Sequence, residues 1–301
     1  TMQREKFEAV QRMQDYIERH LENRVSLKDL AEAAGYAESH ASRVFSEIVG
    51  IAPLDYLRAR RLSKAADKLR GSSTKIIEIS LEAGFETHEG FLRAFKKRFG
   101  YAPAYYRRHS PPVPLFLPRS AIAYYTHYLK GESSPVMKNS QNTVFVQVIS
   151  RPARRLIIKR GKAATHYFEY CEEVGCDVWG VLSSIKEAIY EPIGMWLPEN
   201  MITPGTSEYA QGVEVPADYA GPVPEGMEII DLAPCHMMVF QTPPYNDEEM
   251  GSVIGFLQKS IDTYDPKVYG YTWDDQAAPR YQLIPLPERG YIEARPVRSC
   301  R

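Results

Sequence analysis

Two stretches about fifty residues apart place polar and basic side chains on one face of a helical pattern whose other face is apolar. In the first, residues 38–49, Ala41, Val44, Phe45 and Ile48 keep helical spacing and leave Ser39, Ser42 and Arg43 opposite. In the second, from Thr87 onward, Phe91, Leu92, Phe95 and Phe99 face one way and His88, Glu89, Arg93, Lys96, Lys97 and Arg98 the other. Arginine and lysine neutralise phosphates, while hydroxyl, imidazole, carboxylate and guanidinium groups hydrogen-bond base edges. That is the chemistry of recognition. The chain has no Ser-His-Asp order, no metal-ligand cluster and no glycine loop shaped to cradle phosphate, so no enzyme, metal site or cofactor is expected.

The elements that must position these faces repeat. Leu30-Ala31-Glu32-Ala33-Ala34-Gly35-Tyr36, then Phe45, then Gly50-Ile51-Ala52-Pro53-Leu54-Asp55-Tyr56 is matched by Ser80-Leu81-Glu82-Ala83-Gly84-Phe85, Phe95 and Gly100-Tyr101-Ala102-Pro103-Ala104-Tyr105-Tyr106. The Ala-Gly-aromatic turns lie 49 residues apart and the later signatures 50, so the second copy carries one extra residue. Helix, glycine turn, helix is the unit that sets a recognition helix in the major groove. Ser26 with Asp29 three residues on is a capping box for the first copy, and Thr74 is the expected cap of the helix at 76–81. Residues 55–69 read as one connecting helix with Arg58, Arg60, Arg61 and Lys64, long enough to hold two recognition helices about 34 Å apart, one DNA turn.

Charge divides the chain in two. Residues 1–110 hold 20 Lys and Arg against 15 Asp and Glu, whereas residues 111–301 hold 17 against 23. Only the first part has the surplus that phosphate contacts need. All three tryptophans and 14 of the 20 tyrosines lie after residue 110. His109 to Pro118 contains four prolines in ten residues and cannot continue a helix. Two domains are therefore expected: an all-α pair of helix-turn-helix units over 1–109, a linker over 110–141, and an α+β domain over 142–301. No run approaches the ~18 apolar residues of a membrane helix, and the start lacks a signal-peptide pattern. The four cysteines, Cys171, Cys176, Cys235 and Cys300, have no zinc spacing. A cytoplasmic protein with reduced thiols and no membrane partner is expected.

The second domain carries its own repeat. Residues 148–158 align with 230–240 at an offset of 82, matching Pro152 to Pro234 and Ile158 to Phe240. Each copy reads as strand, proline turn, strand, then helix, with helices at 164–190 and 247–264. Later strand-like runs cover 208–215, 280–285 and 291–297. Two such units packed side by side leave a cleft suited to a small ligand. Aromatic walls beside a carboxylate hold organic cations, and Trp179, Trp196, Tyr271 and Trp273 are the candidate walls.

Residues 26–108 resemble the DNA-binding domain of AraC-type transcriptional regulators. The resemblance rests on both Ala-Gly-aromatic turns, Arg60-Arg61-Leu62-x-x-Ala65, Gly84-Phe85-Glu86, and the run from Phe91 to Arg107 through Arg93, Ala94, Phe95, Lys96, Lys97, Phe99, Gly100, Pro103 and Tyr106. Residues 142–297 are similar, more weakly, to the GyrI-like effector-binding module, and the domain order is that of the Rob-like members. The resemblance implies a seven-helix bipartite DNA-binding domain, a ligand-sensing domain built of two pseudo-repeats, and activation through RNA polymerase. It places base-reading positions on Ser39, Ser42 and Arg43, and on Thr87, His88, Glu89 and Arg93, with Lys96 beside them. Rob-like proteins commonly carry a Trp and a Gln where this chain has Ser39 and Ser42, so Arg43 is expected to carry most of the first helix's readout. Glu89 is matched to cytosine N4 and Arg93 to guanine or a phosphate. The family's pocket glutamate lies four residues before a Pro in the last strand. Counting back from Pro296 gives Ile292, with Glu293 one place off; Glu293 and Glu214 are the two carboxylate candidates.

Three readings of the whole chain follow. The first is a DNA-binding regulator controlled by a small amphipathic or aromatic ligand. In the second the C-terminal domain docks a protein, and in the third it is a fused hydrolase-like domain.

Overall fold

Ser26 and Asp29 form the expected capping box at the start of the second helix. The Ser26 hydroxyl accepts from the Asp29 amide at 3.3 Å, and the Asp29 carboxylate accepts from the Ser26 amide at 2.7 Å. That amide and the hydroxyl hold the Asp29 carboxyl below its usual range. In the computed structural model, which describes residues 2–118 and 143–300, seven helices precede residue 110. They are α1 (Met2–Arg19), α2 (Leu27–Ala34), α3 (Glu38–Val49), α4 (Pro53–Gly71), α5 (Ile76–Glu82), α6 (His88–Phe99) and α7 (Pro103–His109). The pairs α2–α3 and α5–α6 are the two repeated units. Gly35 and Gly84 make their turns with φ of +73° and +71°. Pro53 and Pro103 open the helices that follow.

Two differences from the sequence reading have local causes. Helix α5 is not capped by the Thr74 side chain. Glu78 accepts from the Lys75 amide at 3.3 Å, and the Thr74 carbonyl accepts from Arg107. Ile48 and Leu92 are only half-buried, at the edges of their cores.

The helical unit has two cores. Phe7, Met13, Ile17, Leu30, Phe45, Tyr56 and Leu57 close the first. Leu62, Leu69, Ile79, Phe91, Phe95, Phe99 and Tyr106 close the second. Edge-on aromatic pairs recur in both, Phe45 on Tyr56 at 5.5 Å and Phe95 on Phe99 at 4.8 Å. Val113 and Leu115, in the proline-rich stretch assigned to the linker, are buried in the second core. The remainder of that expected linker, 119–141, lies outside the described residues.

Burial pushes the Tyr106 hydroxyl up to about 12, against 10.0 for a free tyrosine. Because the unfolded chain loses this proton first, the contribution of Tyr106 to stability is complete below pH 10 and is lost as pH rises towards 12. Urea melts at pH 9, 10 and 11 are expected to show a smaller alkaline loss in Tyr106→Phe than in the parent chain. The phenylalanine strands no partner, since the hydroxyl has none among the described residues. Equal losses in the two chains would remove Tyr106 as the cause.

The second unit is an antiparallel sheet with helices. Its strands are β1 (Phe145–Arg151), β2 (Arg154–Arg160), β3 (Ile193–Trp196), β4 (Tyr209–Pro216), β5 (Glu228–Leu232), β6 (Cys235–Gln241), β7 (Tyr271–Trp273), β8 (Arg280–Leu283) and β9 (Ile292–Ser299). The order is β1-β6-β9-β8-β3-β4-β2-β5, with β7 on β9. The helices are α8 (Tyr167–Val174), α9 (Asp177–Ser183) and α10 (Met250–Asp262). The predicted strand–proline–strand runs exist, but neither closes on itself as a hairpin. Instead β1 pairs with β6 and β2 with β5, so that Arg151 faces Cys235 and Arg154 faces Leu232. Pro152 and Pro234 stand where each chain passes from one ladder to the other, a place where a missing amide donor is tolerated.

The single helix expected over 164–190 is two short ones. Gly175 separates them at φ +99° and ψ 154°, an extended left-hand conformation open to glycine and closed to a helix. Strands β3 and β7, of four and three residues, are too short to leave a period in the sequence. One face of the sheet packs Ile157, Tyr209, Val213 and Val215 against Tyr170, Val178 and Leu182 of α8 and α9. The alternate residues, Leu156, Ile158, Ile193, Met195, Ala210 and Leu283, form a separate core on the other face.

Candidate functional sites

Helix α3 presents Ser39 and Arg43 to solvent and Ser42 half-exposed. The Arg43 guanidinium lies 2.9 Å from His40 Nδ1, one turn back on the same exposed face. On α6, Glu89, Arg93 and Lys96 are exposed and make no hydrogen bond or ion pair among the described residues. Thr87 is the N-cap of α6, its hydroxyl accepting from the Gly90 amide at 3.1 Å. One lone pair is thereby committed to the helix, and its own proton is free to donate. His88 is half-buried, with Nδ1 shielded and without a partner among the described residues.

Several other cations of this unit are engaged within it. Arg12 donates to the carbonyls of Ala33 and Ala34 at the end of α2, at 3.0 and 2.8 Å. Arg60 forks onto Glu18 at 2.7 and 3.0 Å, and Arg61 donates to the carbonyls of Leu21, at 2.7 Å, and Asn23. Lys64 pairs with Glu22 at 2.9 Å, Lys68 with Glu82, and Arg70 with Asp67 at 2.9 Å. Arg60, Arg61 and Lys64 therefore brace α4 against the end of α1 and the turn that follows it. Sequence reasoning counted their charge in the surplus without seeing that use. Among the described residues, three exposed cations without a partner, Arg93, Lys96 and Lys97, lie together on α6, while Arg24 and Arg108 are exposed elsewhere in the unit.

In the sheet unit, four strands align one polar row. Gln211 of β4 faces Gly194 of β3, Gly194 faces Gln282 of β8, and Gln282 faces Glu293 of β9. Gly194 is required there, because a Cβ would strike the Tyr209 hydroxyl. That hydroxyl accepts from Gln282 Nε2 at 2.9 Å, and the Tyr291 hydroxyl lies 2.7 Å from both Gln282 and Glu293. Burial holds both phenols well above their ordinary titration range. The Gln211 amide nitrogen is buried and has no partner among the described residues.

Glu293 is fully buried yet fully served. It accepts from Arg280 Nη2 at 2.7 Å and Nε at 3.2 Å, and from Gln258 of α10 at 2.9 Å. Arg280 in turn lies over the Trp196 ring, 5.2 Å from its centroid, and Trp196 Nε1 donates to the Thr165 carbonyl at 2.9 Å. On the far side of Glu293, its register partner Phe240 meets Trp273 at 6.3 Å. Arg295 covers Trp273 at 4.3 Å, and Tyr271 lies beside His236 at 6.1 Å. Trp196, Glu293 and Trp273 are thus brought into one chain of contacts, with Tyr271 at its margin.

Two candidates stand apart. Trp179 is buried in α9 and packs edge-on against Tyr167 at 6.2 Å. Glu214 points to the opposite face of the sheet, where it accepts from Arg154 Nε at 2.6 Å and pairs with Arg151. Gln211, Gln282, Gly194 and Arg280 were not singled out by sequence. Each is an ordinary strand residue until the register aligns them.

Among the described residues no group of three His, Cys, Asp or Glu side chains is placed to hold a metal. No helix of the described residues is long and apolar enough to cross a membrane.

A family model described as a helix-turn-helix domain matches residues 30–109. Over 95 residues the chain is 44% identical to the transcriptional regulator Rob of Salmonella typhimurium, covering 32% of this chain and 33% of that protein. It is 40% identical over 94 residues to the transposon Tn10 TetD protein of Escherichia coli, covering 31% of this chain and 68% of that one. To the HTH-type transcriptional activator AarP of Providencia stuartii it is 39% identical over 92 residues, again 31% and 68%. The match spans about a third of the length of Rob and two thirds of the two shorter relatives.

Proposed function

The chain belongs to the AraC-type helix-turn-helix transcriptional regulators, and from that membership we propose that it binds double-stranded DNA with α3 and α6 in successive major grooves and regulates transcription in response to a small molecule held by the sheet unit. One observation carries the DNA part: two repeated helix-turn-helix units, the second of whose recognition helices exposes Arg93, Lys96 and Lys97 together, none with a partner among the described residues. In this reading Ser39, Ser42 and Arg43 read the first groove. Thr87, His88, Glu89 and Arg93 read the second, with Lys96 on a phosphate. RNA polymerase is the proposed partner in activation.

The sheet unit is proposed to be a GyrI-like module of two pseudo-repeats. The β1–β6 and β2–β5 pairings support this, because exchanging the two copies at an offset of 82 carries each ladder onto the other in register. The proposed ligand is aromatic or amphipathic and lies along the polar row, between the Trp196 and Trp273 ends of the contact chain. Glu293 is already neutralised by Arg280, so it recognises a ligand only by exchanging that partner.

The test begins with a duplex selected by the full-length chain from a randomised pool. Arg93→Ala is expected to cost about 1–3 kcal/mol on that duplex and much less on random DNA. Equal losses on both would make Arg93 a phosphate contact. A panel of aromatic cations, bile-like amphipaths and aromatic anions is then screened by tryptophan fluorescence and melting. A true ligand raises stability by about 2.7 kcal/mol at a hundredfold excess over its Kd, and must also change affinity for the duplex. If the whole panel leaves both signals flat, ligand control falls and the DNA-binding reading stands.

A further inference from the structure

Residues 58–61 of α4 belong to neither core of the helical unit: Leu57 is the last α4 residue of the first and Leu62 the first of the second. Two separately packed bodies joined through one helix have a natural site of bending and twist there. The chain lays residues 113–117 across that site. The Phe116 amide donates to the hydroxyl of Ser63, a buried serine of α4, at 2.7 Å. The Phe116 carbonyl accepts from Arg60, the same guanidinium that forks onto Glu18 of α1. Its ring meets Tyr56 of the first core edge-on at 5.1 Å, and Arg98, at the end of α6, lies 5.7 Å from the ring centroid. On either side, Leu115 and Leu117 pack into the second core. One short segment therefore ties α1, α4 and α6 and enters both cores.

We propose that Phe116 is a positioning residue for DNA recognition: by clamping the middle of α4 it fixes the relative setting of α3 and α6, and so selects the spacing between the two groove segments that the protein reads. Fixed geometry is what makes two contacts on one duplex reinforce each other, and the gain vanishes when both cannot engage together. A loosened clamp lets the two units follow a changed spacing, at the expense of affinity for the correct one.

The inference rests on the DNA-binding reading above. The probes are the duplex selected by the full-length chain, the same duplex with two base pairs inserted between its half-sites, and a duplex keeping one half-site. The parent chain is expected to lose about a hundredfold on insertion. Full-length Phe116→Ala is expected to lose only a few-fold on insertion, to bind the parent duplex more weakly, and to bind the single half-site as before. Phe116→Tyr, which keeps the ring, is expected to restore spacing discrimination. If Phe116→Ala loses its helical circular dichroism, Arg60→Gln, which frees the Phe116 carbonyl, is put to the same three duplexes. Unchanged spacing discrimination in the folded variant, or a parallel loss on the single half-site, overturns the proposal. Failure of the parent chain to select any duplex overturns the DNA-binding reading and this inference with it.

Discussion

Glu214→Ala is expected to destabilise the sheet unit by about 3–5 kcal/mol, the largest single-residue effect on stability anticipated for this chain. Glu214 is 6% exposed and Arg154 2%, and Arg154 Nε donates to it at 2.6 Å. Arg151 reaches the other carboxylate oxygen, and Arg154 also donates to the Pro152 carbonyl at 3.1 Å. Removing the carboxylate leaves two guanidinium groups with no counter-charge, one of them beyond the reach of solvent. The cost is that of an abandoned buried charge, which exceeds the net value of the pair. The double variant Glu214→Leu with Arg154→Leu is therefore expected to recover part of the loss, because it removes the more deeply buried of the two abandoned charges and leaves only Arg151 without its partner. Urea denaturation followed by tryptophan fluorescence isolates this unit, since Trp179, Trp196 and Trp273 all lie in it. A loss below about 1 kcal/mol for the single variant would mean that water reaches the site and screens the charges.

Glu214 also shows where sequence reading stops. It is a candidate in a strand-like run, and nothing in its neighbours distinguishes a solvated position from one enclosed by arginines of two other strands. The arginines come from 60 and 63 residues away in sequence, and only the register delivers them. The same limit applies to the polar row, because Gln211, Gly194, Gln282 and Glu293 lie on four strands and share no local pattern. In the helical unit the controlling interactions are local, so far more was legible. The Ser26–Asp29 box, the two glycine turns and the apolar spacing of α3 and α6 each act within a few residues. Even there, long-range use of a side chain escaped notice. Arg60, Arg61 and Lys64 of α4 hold the end of α1 and the turn after it through Glu18, the carbonyl of Leu21 and Glu22, about forty residues away. In the sheet unit the two strand–proline–strand patterns located four strands but left their partners open, because a local pattern marks a strand and is silent on what it pairs with. The break at Gly175 was readable in principle, as a glycine inside a helical pattern is a stop signal.

The division between engaged and free cations sets the salt dependence of DNA binding. If the exposed cations left free of internal pairing supply about five phosphate contacts, the log–log slope of affinity against salt is about −4.5, and affinity falls about 500-fold between 50 and 200 mM. Counting every Lys and Arg of residues 1–110 would predict a far steeper fall, so the slope discriminates between the two descriptions. Lys96→Gln is expected to lower the slope by about 1, since it removes one counter-ion exchange and no internal contact. Lys64→Gln is expected to leave the slope unchanged, because its ammonium is paired with Glu22 at 2.9 Å. Any loss from Lys64→Gln should instead appear as a small change in stability, within about 1 kcal/mol for an exposed pair. Fluorescence anisotropy of the selected duplex across a salt series measures all three slopes on one scale. Equal reductions from Lys64→Gln and Lys96→Gln would place the connector on the DNA and move the binding face from α6 towards α4.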